Sequence, residues 1–278
     1  ERGSDDGDGS YENPWSSIQR AALRMTAGDT CIIESGTYEG PIEPANSGEA
    51  GKPITFQAAP GANVVISGLT KIEPERWEKT DLKSKYTIFK AQDVEMWGTD
   101  SNSTRDENQV FFYDPQTSGD IRSGKMMTLA RSGNATEMGE LFPTNLSKVG
   151  LTDHTLRGDE INLMIGSDVN GLVGAQIWYS PRNTKGWSCW TSRITAVDTG
   201  SKKIHFHQST SQSKLTVQSG GRYFIQDAMC LLDQPGEWYY NADETTLYII
   251  PPEDHAGELY VCYKSQRNGF ILDGKSNI

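Results

Sequence analysis

The chain has 278 residues, of which 26 are Lys or Arg and 37 Asp or Glu, for a net charge of −11. So acidic a chain lacks the basic surface that a phosphate backbone requires, and it contains no apolar run of the roughly 18 residues needed to span a bilayer. Its 7 Trp, 11 Tyr and 8 Phe are too many for a disordered chain, and its 28 Gly and 12 Pro, spread throughout, argue for short strands and turns over a helical bundle.

The first residue is Glu1 and no signal pattern follows, so the chain reads as a processed or trimmed one. Residues 1–12 are rich in Gly, Asp and Ser and predict a loop. Asn13 and Pro14 then suit the N-cap and first position of a helix, and Trp15, Ile18, Ala22 and Met25 form one apolar stripe over about three turns, ended by Gly28. Residues 30–34 (TCIIE), 53–58 (PITFQA) and 63–67 (NVVIS) predict short strands, the first closed by Ser35-Gly36-Thr37-Tyr38. No helical segment separates them, which excludes βαβ units. The corner Ala59-Pro60-Gly61-Ala62 suits a chain turning onto the next side of a solenoid coil.

From Ile72 to about Lys264 the strands become broader and alternate: 109–113, 126–130, 175–180, 192–198, 202–208, 246–251 and 258–263. Asp198-Thr199-Gly200-Ser201-Lys202 predicts a hairpin turn. Polar stretches at 98–108, 114–124 and 132–140 predict loops, and only 226–233 and 142–149 carry short helix signals. The pattern is that of an all-β sandwich or barrel-like domain. At 266–278 the short-strand pattern returns, with Phe270-Ile271-Leu272-Asp273-Gly274 repeating the form of the earlier Val64-Val65-Ile66-Ser67-Gly68, and the sequence stops just after the coil restarts. These patterns divide the chain into 1–71, 72–264 and 265–278, and lead us to expect the solenoid to continue in a longer chain.

Residues 4–38, with their Gly/Asp loop, Asn-Pro-Trp, Ser-Ile-Gln and small-residue helix, then Gly28-Asp29-Thr30 and Gly36-Thr37-Tyr38, resemble the opening of the right-handed parallel β-helix proteins of the pectin-lyase-like superfamily. Residues 51–68 resemble its next coil. The segment Leu232-Asp233-Gln234-Pro235-Gly236-Glu237-Trp238-Tyr239-Tyr240, followed by Thr246-Leu247-Tyr248-Ile249, resembles one in β-helix glycoside hydrolases whose solenoid is interrupted by an inserted β-domain. Thr128-Leu129-Ala130-Arg131 also resembles part of that insert, but Ser-Gly-Asn follows Arg131 where the pattern has Trp-Pro-Asn. The resemblance implies an all-β fold: a right-handed parallel β-helix with an N-terminal cap helix, its first coils, and an inserted sandwich- or barrel-like domain. It also implies that the stripe Trp15/Ile18/Ala22/Met25 covers the open end of the first coil, shielding its edge from aggregation. In that family the catalytic residues lie on later coils, so the resemblance carries over no catalytic position.

Several constellations hold chemistry beside a plainer reading. Asp5, Asp6 and Asp8 alternate oxygen ligands that calcium could use, yet the Gly and distal Glu of a calcium loop are missing, which favours a solvated loop. His205 and His207 share a strand face without a third metal ligand. Asp233 and Glu237 flank a Pro-Gly turn as a carboxylate pair, or as parts of a structural turn with Trp238 beneath it. Trp178, Tyr179, Trp187 and Trp190, near Arg182, Asn183 and Lys185, suit stacking on sugar rings, or filling a core. Cys189 lacks a visible activating histidine. Cys31, Cys189, Cys230 and Cys262 could make two disulfides, but the apolar runs around Cys31 and Cys230 favour buried thiols. The sequons at Asn102, Asn134 and Asn145 are as many as composition alone would give.

The expectation is a secreted or cell-surface carbohydrate-active protein, a glycoside hydrolase on an extracellular polysaccharide in preference to a lyase. No cofactor is required, calcium being the one ion with nameable ligands. The partner would be a glycan, with neither nucleic acid nor a membrane span, and with self-association through solenoid ends or edges. A non-enzymatic adhesin, sheath or filament protein on the same scaffold is the competing class.

Overall fold

The computed structural model describes residues 3–97, 108–113, 124–132, 150–152, 155–157, 169–180, 190–198, 203–206, 222–252, 255 and 257–278. The chain divides into two compact units: Glu1–Ile72 with Glu95–Ser123 and Tyr260–Ile278, and Glu73–Val94 with Gly124–Leu259. The described residues are all-β apart from one five-residue α-helix and short 3-10 turns, and their sheets do not close into a barrel.

In the first unit the helix spans Ile18–Ala22, starting at Ser17 instead of Asn13. The Ser17 hydroxyl accepts from the Arg20 N–H at 3.2 Å, as an N-cap does. Asn13 and Pro14 are held in the preceding loop: the N–H groups of Gly9 and Ser4 donate to their carbonyls at 3.1 and 2.9 Å, and the Trp15 indole donates to the Gly7 carbonyl at 2.8 Å. The apolar stripe survives this shortening. Ile18 and Ala22 are buried with Ile33 and Ile42, while Ala21 and Met25 are buried with Ile54, and Trp15 packs beside them.

Three parallel pairings follow. Thr30–Ile33 runs beside Thr55–Ala58 in the register Thr30↔Thr55 to Ile33↔Ala58. Gly36–Glu39 runs beside Val64–Ser67, Gly36↔Val64 to Glu39↔Ser67. Ile42 bridges in parallel to Phe270. Gly36-Thr37-Tyr38 is thus a strand, not the turn its composition suggests, because the neighbour supplying its hydrogen bonds lies in another part of the chain. The C-terminal residues continue this alignment: Ile42, Gly48 and Ile54 donate their N–H groups to the carbonyls of Gly269, Ser276 and Asn277 at 2.9, 3.0 and 3.0 Å. Phe56 and Phe270 meet edge to face at 5.3 Å over this small core. Gly48 is required by the close approach, since a Cβ there would lie 2.3 Å from the Asn277 carbonyl oxygen.

The same unit holds an antiparallel ribbon in which Val261–Lys264 lies between Leu69–Ile72 and Val110–Phe112. Ser265 and Gln266 donate their N–H groups to the Gly68 carbonyl at 2.9 and 3.1 Å, tying the end of this ribbon to the turn where it began.

The second unit contains two larger sheets. One orders Thr128–Leu129, Glu237–Asn241, Thr246–Ile249, Phe89–Ala91 and Glu78–Lys79, parallel at its first pair and antiparallel beyond. The other is antiparallel and orders Gly150–Thr152, Thr155–Arg157, Lys203–Phe206, Trp190–Asp198, Gln176–Ser180 and Arg222–Gln226. Ile177, Tyr179, Ile194, Ile204, Phe206 and Ile225 from this second sheet join one continuous buried core with Leu172, Leu231 and Ile250. The predicted helix over 226–233 is the end of a strand followed by the 3-10 turn Met229–Leu231. Asp198 pairs with Lys203 as a hairpin requires; the turn residues 199–202 and the predicted helix at 142–149 lie outside the described residues.

Candidate functional site

Strand alternation divides the aromatic cluster read from the sequence. Tyr179 is fully buried, 5.0 Å from the Phe206 ring and 6.2 Å from that of Trp190. Trp190 pairs directly with Tyr179, so it shares the core face and is half-buried there. Tyr179 is therefore a core residue without a ring surface for a sugar. Trp187, with Arg182, Asn183, Lys185 and Cys189, lies outside the described residues.

Trp178 lies on the opposite face of the same sheet. Its ring stacks on Phe224 at 5.7 Å with an 8° interplanar angle. Its indole N–H donates to the Gln176 Oε1 at 3.3 Å, and the Gln226 side-chain amide donates to that same oxygen at 2.6 Å. A phenyl support on one side and a fixed polar anchor give the indole one orientation in advance of any ligand. In register with Gln176 and Gln226 stand Arg193 on one flank and Arg131 on the other. The Arg193 guanidinium donates at 2.9 Å to the buried Asp227 carboxylate and at 2.9 Å to the Gly174 carbonyl. This face carries an oriented, half-buried aromatic ring; the Gln176 amide that anchors it is itself buried, and Gln226, Arg193 and Arg131 beside it are partly exposed. Such a set can stack on the C–H face of a sugar and exchange hydrogen bonds with its hydroxyls.

Glu237 begins the Glu237–Asn241 strand and is buried. Its Oε2 accepts the N–H groups of Asp233 and Gln234, both at 3.1 Å. Burial raises its carboxyl to about 7, although those hydrogen bonds pull the other way. Burial also lowers the Arg131 guanidinium, an effect that Glu237 partly offsets. The hydrogen bonds make Glu237 a clamp on the 233–236 turn, and Trp238 is buried next to it. This is the structural alternative for the Asp233/Glu237 pair.

The acidic loop near the N-terminus is not assembled as a metal site. Asp5 Oδ1 accepts the Ser16 and Ser17 N–H groups at 3.0 and 2.9 Å and the Ser16 hydroxyl at 2.8 Å, while Oδ2 accepts the Ser17 hydroxyl at 2.7 Å. Asp8 accepts the Ser10 N–H at 2.9 Å, and Asp6 is exposed. The aspartates tie the loop to the helix start, and among the described residues no three His, Cys, Asp or Glu side chains gather as a metal site. His205 is half-buried; His207 and the three sequon asparagines lie outside the described residues. Cys31 and Cys262 are free thiols, and burial pushes Cys262 up to about 12, which disfavours its thiolate.

Sequence reasoning missed Gln176, Phe224, Gln226 and Arg193. The period-two alternation of 175–180 could have separated Trp178 from Tyr179. The partners across the strands could not be found without the register.

No family model matches the chain. It is 42% identical over 66 residues, 24% of its length, to an uncharacterised protein, YwoF, of Bacillus subtilis, and 40% identical over 68 residues to pectate lyase PEL9 of Emericella nidulans. These matches span 14% and 17% of the two relatives. Among solved structures, a glycoside hydrolase superposes on 99% of the chain with a TM-score of 0.64 at 20% identity, and the chain spans 46% of that protein. At this identity the likeness is one of fold. No helix of the described residues is long and apolar enough to cross a membrane.

Proposed function

We propose that the chain is the opening part of a right-handed parallel β-helix carrying an inserted antiparallel domain, within a secreted or cell-surface carbohydrate-active protein. The division into 1–71, 72–264 and 265–278 belongs to this reading. The observation that carries it is the succession of parallel pairings: 30 with 55, 36 with 64, and 42 with 270. The hydrogen bond from the Ile54 N–H to the Asn277 carbonyl supports a further turn stacked on the one before. A chain that returns beside itself in parallel at successive corners is winding a solenoid. The helix Ile18–Ala22 covers the first turn in this reading. The likeness of fold to a glycoside hydrolase supports the carbohydrate-active part of the reading.

The activity we favour is glycoside hydrolysis of an extracellular polysaccharide, with the catalytic carboxylates on coils outside these residues and Trp178 as a glycan contact. A lyase is the second reading, favoured by the partial match to a pectate lyase. Titration of the chain with neutral oligosaccharides, followed by indole fluorescence, tests the binding part. Trp178→Ala is expected to weaken binding about 5- to 100-fold, in line with the loss of one stacking aromatic. Unchanged affinity would remove Trp178 from the site. On the longer protein, a hydrolase releases products saturated at both new ends, and a lyase releases products with the ultraviolet absorbance of a new C=C bond at the non-reducing end.

A further inference from the structure

An asparagine that precedes a glycine can close a succinimide ring, because glycine has no side chain to shield its backbone nitrogen from the asparagine Cγ. The sequence has two such pairs, Asn170-Gly171 and Asn268-Gly269. Their settings differ. Asn170 and Gly171 lie inside the 3-10 turn Val169–Leu172, and a helical ψ keeps the next nitrogen off the line of attack on Cγ. Asn268 and Gly269 are both exposed and belong to no helix or strand. Among the described residues, neither the Gly269 N–H nor the Asn268 side-chain amide has a hydrogen-bond partner. The Asn46 amide, by contrast, is tied to the Met25 carbonyl at 2.8 Å.

We propose that Asn268-Gly269 is a site of spontaneous covalent modification, where conversion to isoaspartate detaches the returning chain from the parallel strands of the first unit. The Gly269 nitrogen gives its proton to solvent base and bonds to Asn268 Cγ, and the side-chain nitrogen leaves as ammonia. Water then opens the ring. Breaking the bond from nitrogen to Cγ leaves aspartate on an ordinary backbone. Breaking the bond from nitrogen to the main-chain carbonyl carbon leaves isoaspartate, whose backbone runs through Cβ and Cγ. The second product matters because of what flanks it. On one side the Gln266 N–H is held by the Gly68 carbonyl at 3.1 Å. On the other, the Gly269 carbonyl accepts the Ile42 N–H at 2.9 Å, and the Ile271 N–H donates to the Ile42 carbonyl at 3.0 Å. Only Arg267 and Asn268 lie between these anchors, so an added backbone bond of about 1.5 Å displaces one of them. The Gln266 side is backed by the pairing of Val261–Lys264 with Leu69–Ile72, whereas the other is the single bridge of Ile42 to Phe270. The bridge is therefore the anchor that gives way. This inference is independent of the carbohydrate reading.

Incubation of the 278-residue chain at mildly alkaline pH, with peptide mapping by mass spectrometry and enzymatic labelling of isoaspartate, tests the site. The expected result is exchange of ammonia for water about tenfold or more faster at Asn268 than at Asn170, whose turn has to open first, with isoaspartate among the products at 268. Hydrogen exchange on the incubated protein is expected to rise at Ile42 and at 269–271 while Val261–Lys264 keeps its protection. Asn268→Gln, whose ring closure is slower because the ring would have six members, is expected to keep its protection through the same incubation. Asn268→Asp, freshly prepared, carries the new charge on an ordinary backbone and is expected to match the fresh unaltered chain. Reaction no faster at Asn268 than at Asn170 would overturn the site. Isoaspartate at 268 with unchanged exchange at Ile42, or fresh Asn268→Asp as loosened as the incubated chain, would overturn the displacement of the bridge.

Discussion

The two units solve the same problem with different materials. Around the parallel strands of the first, which are only half-buried, the described clusters are small: Ile18, Ala22, Ile33 and Ile42 in one, Ala21, Met25 and Ile54 in another. Order there comes from backbone hydrogen bonds between distant parts of the chain, such as Ile42 to Gly269 and Ile54 to Asn277. In the second, large side chains from Gln176–Ser180 and its neighbouring strands fill a continuous interior. A fold organised by close backbone approach is sensitive to any added atom at the contact. A fold organised by a filled interior is sensitive to any removed atom.

The largest contrast is expected from Ile177→Ala. Ile177 is fully buried in the second unit, and truncation of such a residue costs about 2–5 kcal/mol. Hydrogen exchange should locate the loss in the second unit's strands. Equal loosening of the parallel strands would dissolve the distinction between the units.

Proton linkage should separate them next, with opposite signs. The Glu237 carboxyl is raised from 4.5 to about 7 in the fold, so its contribution is fully present below about 4.5, is lost as pH rises to about 7, and is constant above. The difference across that window is up to roughly 3 kcal/mol. Glu237→Gln keeps an acceptor for the 233 and 234 N–H groups and should flatten the stability–pH curve of the second unit. In the first unit the hydroxyl of Ser17 holds the Asp5 carboxyl below its usual range, and the Thr26 N–H does the same for Asp29. Their contribution is present above the ordinary carboxyl range and disappears as pH falls below it. Denaturation followed from pH 3 to pH 8 checks both signs, and a Glu237→Gln protein with the original slope would remove Glu237 as the cause.

The smallest expected effect is that of Gly48→Ala, about 1–3 kcal/mol from a single methyl group, because the Asn277 carbonyl has to move. Thermal unfolding measures it, and protease sensitivity should rise at the C-terminal residues first. Tolerance of alanine without a shift would mean that the 42–54 and 269–277 segments are not tightly stacked.

Much of the first unit was legible because its signals are local. The apolar stripe of the helix follows a 3.6-residue period, and short β-branched runs bounded by Gly and Pro mark the strands at 30, 55 and 64. The errors came from non-local partners. Asn13-Pro14 has the composition of a helix start, yet the loop at 4–9 claims its carbonyls, and Asp5 and Ser17 set the start instead. Gly36-Thr37-Tyr38 has the composition of a turn, yet Val64–Ser67 makes it a strand. The candidate sites follow the same division. Trp178 could be named from the sequence, whereas Tyr179 beside it became core because of which way the strand faces.

The sequence by itself therefore determined the kinds of elements, the amphipathic stripe and the all-β character, because propensity and periodicity act over a few neighbouring residues. Tertiary structure decided which strands pair and which face of Gln176–Ser180 is interior. These depend on register and close approach between residues as far apart as Ile42 and Phe270, and no local pattern encodes that proximity.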